Sequence, residues 1–239
     1  MERPYVFCHM LTSLDGKISG NFMSSIDCSD AGYAFDEIAF GNNRHYNHQG
    51  WLSGRITSEE AFTNFRKPDL ITGEKVESGD YIFDTNYSMY YISVDPKGKI
   101  GWSKNTLRYS SHQPHIIELL TKEASDEYKA FLRRKHISYL IVGDNSIDFK
   151  LALEKLYQLF NIKLLMLGGG GVLNWSFIQQ GLCDELSVVL APVADGANNT
   201  PTLFETRDNY GKDIPVGFKL DKVEVIGEST LWLRYKIKN

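Results

Sequence analysis

The sequence is short of the features that would place it quickly. It has only three cysteines, Cys8, Cys28 and Cys183, scattered and without a C-x-x-C pair. That excludes a disulfide framework and a thiolate zinc site, and it suits a reducing cytoplasm. No apolar run approaches the ~18 residues a membrane helix needs, so no membrane partner is expected. The stretch Met1–Met10 lacks the long apolar core and small-residue cleavage site of an export signal. With a net charge of -4 there is no overall basic field to hold nucleic acid. The chain also lacks a G-x-x-x-x-G-K-[ST] phosphate loop and a G-x-S-x-G nucleophile turn. His45 and His48 lie three apart with no evident third ligand, so no metal is expected.

What remains is an ordinary globular composition, 42% hydrophobic and 23% charged over 239 residues. With no linker, repeat or low-complexity segment in view, residues 1–239 read as one domain. Short apolar runs at 5–11, 89–94, 115–120, 138–142 and 186–192 read as strands. Amphipathic stretches near 34–45, 125–135 and 148–160 read as helices. At the end, 218–226 and 230–237 alternate in polarity around Gly227, as an antiparallel hairpin does. The order predicts an α/β fold: a mixed, mostly parallel sheet, helices on both faces and a C-terminal hairpin.

The most informative stretch is Lys163–Asn174, where a strand-length apolar run stops at four consecutive glycines and a short helix follows. Glycines there let a ligand approach the backbone, and a helix start supplies unpaired N–H donors, so the place suits a phosphate. A tight turn that binds nothing is the structural alternative. The cluster fails the G-x-G-x-x-G pattern, with Leu173 in its last position. A second strand–glycine–helix junction is expected at Gly54-Arg55-Ile56-Thr57, with a capping box of Thr57 and Glu60 and a helix from about Ser58 to Phe65. Capping alone would explain Thr57 and Glu60, whereas Arg55 suits an anion. Gly143 ends a further strand. The polar stretch from Arg66 to Ser88 reads as a lid or partner-contact loop.

Two signatures carry a resemblance. Arg3–Ile18 resembles the opening of the riboflavin-biosynthesis reductase family. Leu164–Asn174, Ser176–Leu186 and Ala191–Gly196 resemble its second signature, a glycine triplet followed by Asn, a short helix and Asp-Glu. The resemblance implies a dihydrofolate-reductase-like three-layer fold and an NADPH-dependent reductase, usually a homodimer. It further implies a 5-amino-6-(5-phosphoribosylamino)uracil-type substrate, reduced at C1′ of its ribosyl group. Carried over, Gly169, Gly170 and Gly171 would face the cofactor pyrophosphate, beside Val172 and Asn174. Gly54, Arg55 and Thr57 would form the opposing phosphate contact, and Ser93, Asp95 and the residues to Lys99 would meet the adenosine ribose and 2′-phosphate. Gly143 would border the adenine, and Ser13 and Asp15 the nicotinamide and substrate. Proton donation would fall to Asp15, Glu60 or water. Gly168 stands where the family commonly has Glu, and Glu60 stands off the family's acidic position. No Pro-Cys-x-x-Cys deaminase motif is present. A dihydrofolate- or pteridine-type reductase and a non-catalytic NADPH-binding protein are the rival readings.

Overall fold

The computed structural model describes residues 2–207 and 211–238. In chain order the principal elements are β1 (Tyr5–Thr12), α1 (Ser29–Phe40), β2 (Gly50–Gly54), α2 (Arg55–Ser58), β3 (Tyr90–Val94) and β4 (His115–Leu120). They are followed by α3 (Asp126–Arg134), β5 (Ser138–Ile141), α4 (Phe149–Phe160) and β6 (Leu164–Leu167). The last are α5 (Gly171–Gln179), β7 (Glu185–Leu190), β8 (Phe218–Ile226) and β9 (Thr230–Ile237). The chain separates into two compact units, one formed by His48–Leu165 with the residues preceding Tyr5, the other by Tyr5–Asn47 and Met166–Asn239.

In the first unit four strands run parallel in the order β5-β4-β3-β2. All residues of β3 and β4 are buried, as parallel strands covered on both faces require. The registers Ser53↔Ser93 and Ser93↔Glu118 set three polar side chains side by side on neighbouring strands. The caps follow from the sequence. Ser125 Oγ accepts from the N–H of Tyr128 to begin α3, and Asp148 accepts from Leu151 to begin α4. Acidic Asp126 and Glu127 start α3, and Arg133 and Arg134 end it, as the helix dipole favours.

The segment expected as a lid or partner-contact loop packs on its own chain. The segment from Arg66 to Ser88 is stapled along β5, the outer strand of this unit. Tyr81 exchanges backbone hydrogen bonds with Tyr139, and Lys155 pairs with Asp80 at 2.8 Å. Arg134 pairs with Glu74 and donates to the carbonyl of Asp69 at 2.7 Å. It covers an open strand edge, which accounts for a long polar stretch without regular structure.

In the second unit β1 and β7 pair in parallel, while β9 runs antiparallel to both β7 and β8. Helix α1 packs against these strands. His9 of β1 is fully buried, its ring nitrogens 2.8 Å from Ser187 Oγ and 3.1 Å from the carbonyl of Phe35. The hairpin closes at Gly227, whose φ is 59°. Strand β8 leaves Leu220, Val223 and Val225 exposed. Among the described residues no helix is long and apolar enough to cross a membrane.

Candidate functional site

The junction after β2 differs from its sequence reading. Helix α2 starts at Arg55 with Gly54 as its N-cap, and from Glu59 to Thr63 the chain continues as a π-type turn. No Thr57–Glu60 capping box forms: the helix starts too early for Thr57 to cap it. Ser58 holds the turn instead. Its hydroxyl donates to the carbonyl of Gly54 at 3.1 Å and meets Tyr91 Oη at 2.7 Å and Ser93 Oγ at 2.9 Å. Ser93 is therefore engaged inside the protein. Glu60 is exposed, and its neighbour Glu59 is buried and paired with Arg55. Gly54 itself has an ordinary φ of -74°, and a Cβ added there would meet no atom within 4 Å. Among the described residues no neighbour requires glycine at this position.

Asp95 follows β3 and is buried. One carboxylate oxygen accepts from the N–H groups of Lys99 at 2.5 Å and Ile100 at 2.9 Å, and this shapes the turn that presents Lys97 and Lys99. Burial pushes its pKa up. Glu118 beside it is fully buried and receives the Trp102 indole N–H. Burial, reinforced by the charge of Asp95, drives its pKa well above the carboxylate range. Asp95 Oδ1 and Glu118 Oε2 have no hydrogen-bond partner among the described residues. Gly143 is needed by the turn itself, since φ is 127° and a Cβ would lie 2.0 Å from the carbonyl of Ser146.

In the second unit the glycine cluster connects β6 to α5, with Gly170 as the N-cap of α5 and no side chain capping it. The Gly169–Gly170 peptide bond is cis. The cluster divides by what surrounds it. A Cβ on Gly171 would lie 2.2 Å from the carbonyl oxygen of Thr202, because the segment Thr202–Glu205 packs on the turn and the N–H of Glu205 donates to the carbonyl of Gly171 at 3.2 Å. Gly169 has φ 90° and lies against Met10. Gly170 has φ -73°, and its only near neighbour is Ile18 Cδ1 at 3.9 Å. Packing and backbone conformation explain Gly169 and Gly171 but not Gly170. Asn174 is buried and donates to the carbonyl of Leu203 at 3.1 Å, tying the same segment down. Val172 is half-buried on the first turn of α5.

Ser13 and Asp15 form a loop tie. The Ser13 hydroxyl donates to Asp15 at 2.6 Å, and the Asp15 carboxylate accepts the N–H groups of Asp195 and Gly196, each at 2.9 Å. The Ser13 hydroxyl and these two backbone donors hold the Asp15 carboxyl well below the usual range, so it is ionised at neutral pH. Among the described residues no group of three or more His, Cys, Asp or Glu is placed to hold a metal.

Ser58, Glu59, Glu118 and the Thr202–Glu205 segment were not legible as site residues. The only signal for Glu59 was its place four residues after Arg55.

Comparison with known proteins places this architecture. The chain resembles a pyrimidine reductase-like protein from Corynebacterium diphtheriae with a TM-score of 0.68 at 14% identity, covering 99% of this chain and 92% of that one. The mixed α/β fold expected from the sequence, of dihydrofolate-reductase-like type, is thereby shown. Two curated relatives are each named 2,5-diamino-6-ribosylamino-4(3H)-pyrimidinone 5′-phosphate reductase. The one from Aquifex aeolicus is 36% identical over 90 residues, 38% of this chain and 39% of that protein. The chain thus matches about two fifths of that relative's length. The one from Archaeoglobus fulgidus is 22% identical over 228 residues, 95% of each chain. Residues 4–232 match the family model described as the RibD C-terminal domain, and the chain belongs to that family.

Proposed function

We propose that the chain is an NADPH-dependent reductase of a ribosylamino-pyrimidine 5′-phosphate, the substrate class in the names of its relatives. The observation that carries the cofactor reading is the bareness of Gly170. It is the N-cap of a helix with no side-chain cap, and among the described residues only Ile18 Cδ1, at 3.9 Å, comes near the space where its side chain would be. A pyrophosphate fits such a place, because backbone donors and the helix dipole both favour an anion that can come close. In the first unit Gly54 is bare in the same sense and is followed by Arg55, a cation suited to an anionic group such as a cofactor phosphate. Lys97 and Lys99, on the turn shaped by Asp95, suit the 2′-phosphate.

NADPH, when bound, supplies a hydride to C1′ of the substrate. Reduction at C1′ would open the ribosyl ring at its C1′–O4′ bond, with the ring oxygen taking up a proton. The chain's part is to orient the reactants and exclude water. Asp15 is ionised and occupied by three donors, so its role is to fix the 13–17 turn against the 193–196 loop. Glu60 is exposed and outside the Ser58 network. The proton is therefore assigned to water. Cytoplasmic location and homodimerisation are part of the same reading, the second supported by the apolar side chains exposed on the outer strand β8.

The test is NADPH oxidation followed by absorbance with three substrates in turn: the ribosylamino-pyrimidine phosphate, its deaminated counterpart and dihydrofolate. Turnover of either pyrimidine supports the reading. Turnover of dihydrofolate alone, or NADPH binding without any oxidation, would replace it.

A further inference from the structure

Arg55 does not stand alone. One guanidinium nitrogen pairs with Glu59, four residues on, and the two differ sharply in exposure: the Arg55 side chain is 33% exposed and that of Glu59 2%. The pair thus has one end fixed in the interior and one end open. The other guanidinium nitrogens of Arg55 have no partner among the described residues. The backbone that carries both residues is locked by Ser58, whose hydroxyl joins Gly54, Tyr91 and Ser93. Glu59 is also where the chain changes from α to π winding, a local distortion that recurs at functional positions.

We infer that Glu59 is a positioning residue that holds the Arg55 guanidinium with its free N–H groups turned toward the cofactor's anionic group. Long, flexible arginine side chains lose rotamer freedom when they bind, and a carboxylate that orients the fork beforehand removes part of that cost. The competing explanation is that Arg55 merely neutralises a buried acid. Asp95 and Glu118 both feel the charge of Glu59, and Arg55 is the cation that acts on Asp95, so such a role is physically reasonable. The two explanations differ in whether Glu59 matters to the ligand while Arg55 is present.

The inference rests on the cofactor reading above, and a double-mutant cycle tests the two separately. NADPH dissociation constants and thermal midpoints are measured for the full chain, Glu59→Gln, Arg55→Ala and the double variant. Arg55→Ala is expected to weaken NADPH binding about tenfold or more, and Glu59→Gln about fivefold, within the range of coupled contacts. The double variant should bind like Arg55→Ala alone while melting higher than it, because the unpaired buried carboxylate is gone. Glu59→Asp keeps the charge but shortens the reach, and serves as a second variant with the same expected loss of binding. If Arg55→Ala binds NADPH like the parent, the cofactor assignment of Arg55 fails. If Arg55→Ala weakens binding but Glu59→Gln leaves it unchanged or tightens it, positioning is overturned. Positioning is equally overturned if the Glu59→Gln loss persists in full without Arg55.

Discussion

The carbonyl oxygen of Thr202 occupies the space beside the Cα of Gly171: a Cβ there would lie 2.2 Å away, whereas one on neighbouring Gly170 meets only Ile18 Cδ1 at 3.9 Å. Two adjacent glycines are thus bare for different reasons, and substitution should separate them. Gly171→Ala must push a backbone carbonyl aside, so it should destabilise the protein by at least about 2 kcal/mol in urea unfolding. Gly170→Ala has an allowed backbone conformation and room for the methyl group, so it should be at least as stable as the parent, by up to about 0.5 kcal/mol.

Gly54 provides the counterpart in the first unit. With φ at -74° and no atom within 4 Å of a built Cβ, Gly54→Ala should raise stability by about 0.5 kcal/mol, by restricting the unfolded chain. If a phosphate approaches this backbone, the same variant should weaken NADPH binding. Gain in one measurement and loss in the other would mark a position kept as glycine for a ligand.

Asp15 gives a prediction about loops and pH. Its carboxyl is held below the usual range by Ser13 and by the N–H groups of Asp195 and Gly196, so its tie is complete above the ordinary carboxylate pKa of about 4 and is lost as the pH falls further. Asp15→Asn should loosen the 193–196 loop and lower kcat/KM about tenfold or more through misplacement. Because water is assigned the proton transfer, the variant's pH–rate profile should keep the parent's shape above pH 5. A lost limb would show Asp15 to be the proton donor.

His9 dominates a second pH effect. Burial lowers its pKa from 6.5 to about 4, so the folded protein keeps it neutral while the unfolded chain takes up a proton. Stability should therefore fall as the pH drops from about 6.5 toward 4, by about 3 kcal/mol for this residue alone. His115, lowered to about 4 by the same cause, adds to the slope. Unfolding His9→Gln over a pH series should show a shallower dependence in this window.

Much of the fold was legible because local rules and tertiary packing agree. Ser125 and Asp148 cap their helices as their side chains suggest, and β4 occupies the apolar run His115–Leu120. Where they disagree, packing prevailed. Thr57 and Glu60 have the spacing of a capping box, yet Gly54 begins the helix and Ser58 fastens it to Ser93 of the neighbouring strand, a contact no local pattern encodes. Of the adjacent acids Glu59 and Glu60, only the spacing of four from Arg55 favours Glu59 in sequence, and the winding of the turn decides which is buried against Arg55. The segment from Arg66 to Ser88 looked like a lid because its partners, Tyr139 and Lys155, are far away in sequence. The four glycines were legible as a cluster, but their separate reasons were not, since Thr202 reaches Gly171 only in the folded chain.

If the open side of Gly170 receives the cofactor pyrophosphate, a branched side chain at that position must keep the cofactor out. The most direct measurement is an NADPH titration of Gly170→Val beside the parent, with both folds checked by circular dichroism and thermal unfolding. The expected result is a folded variant whose NADPH binding is lost. A folded variant that binds NADPH as tightly as the parent would contradict the assignment of Gly170 to the cofactor.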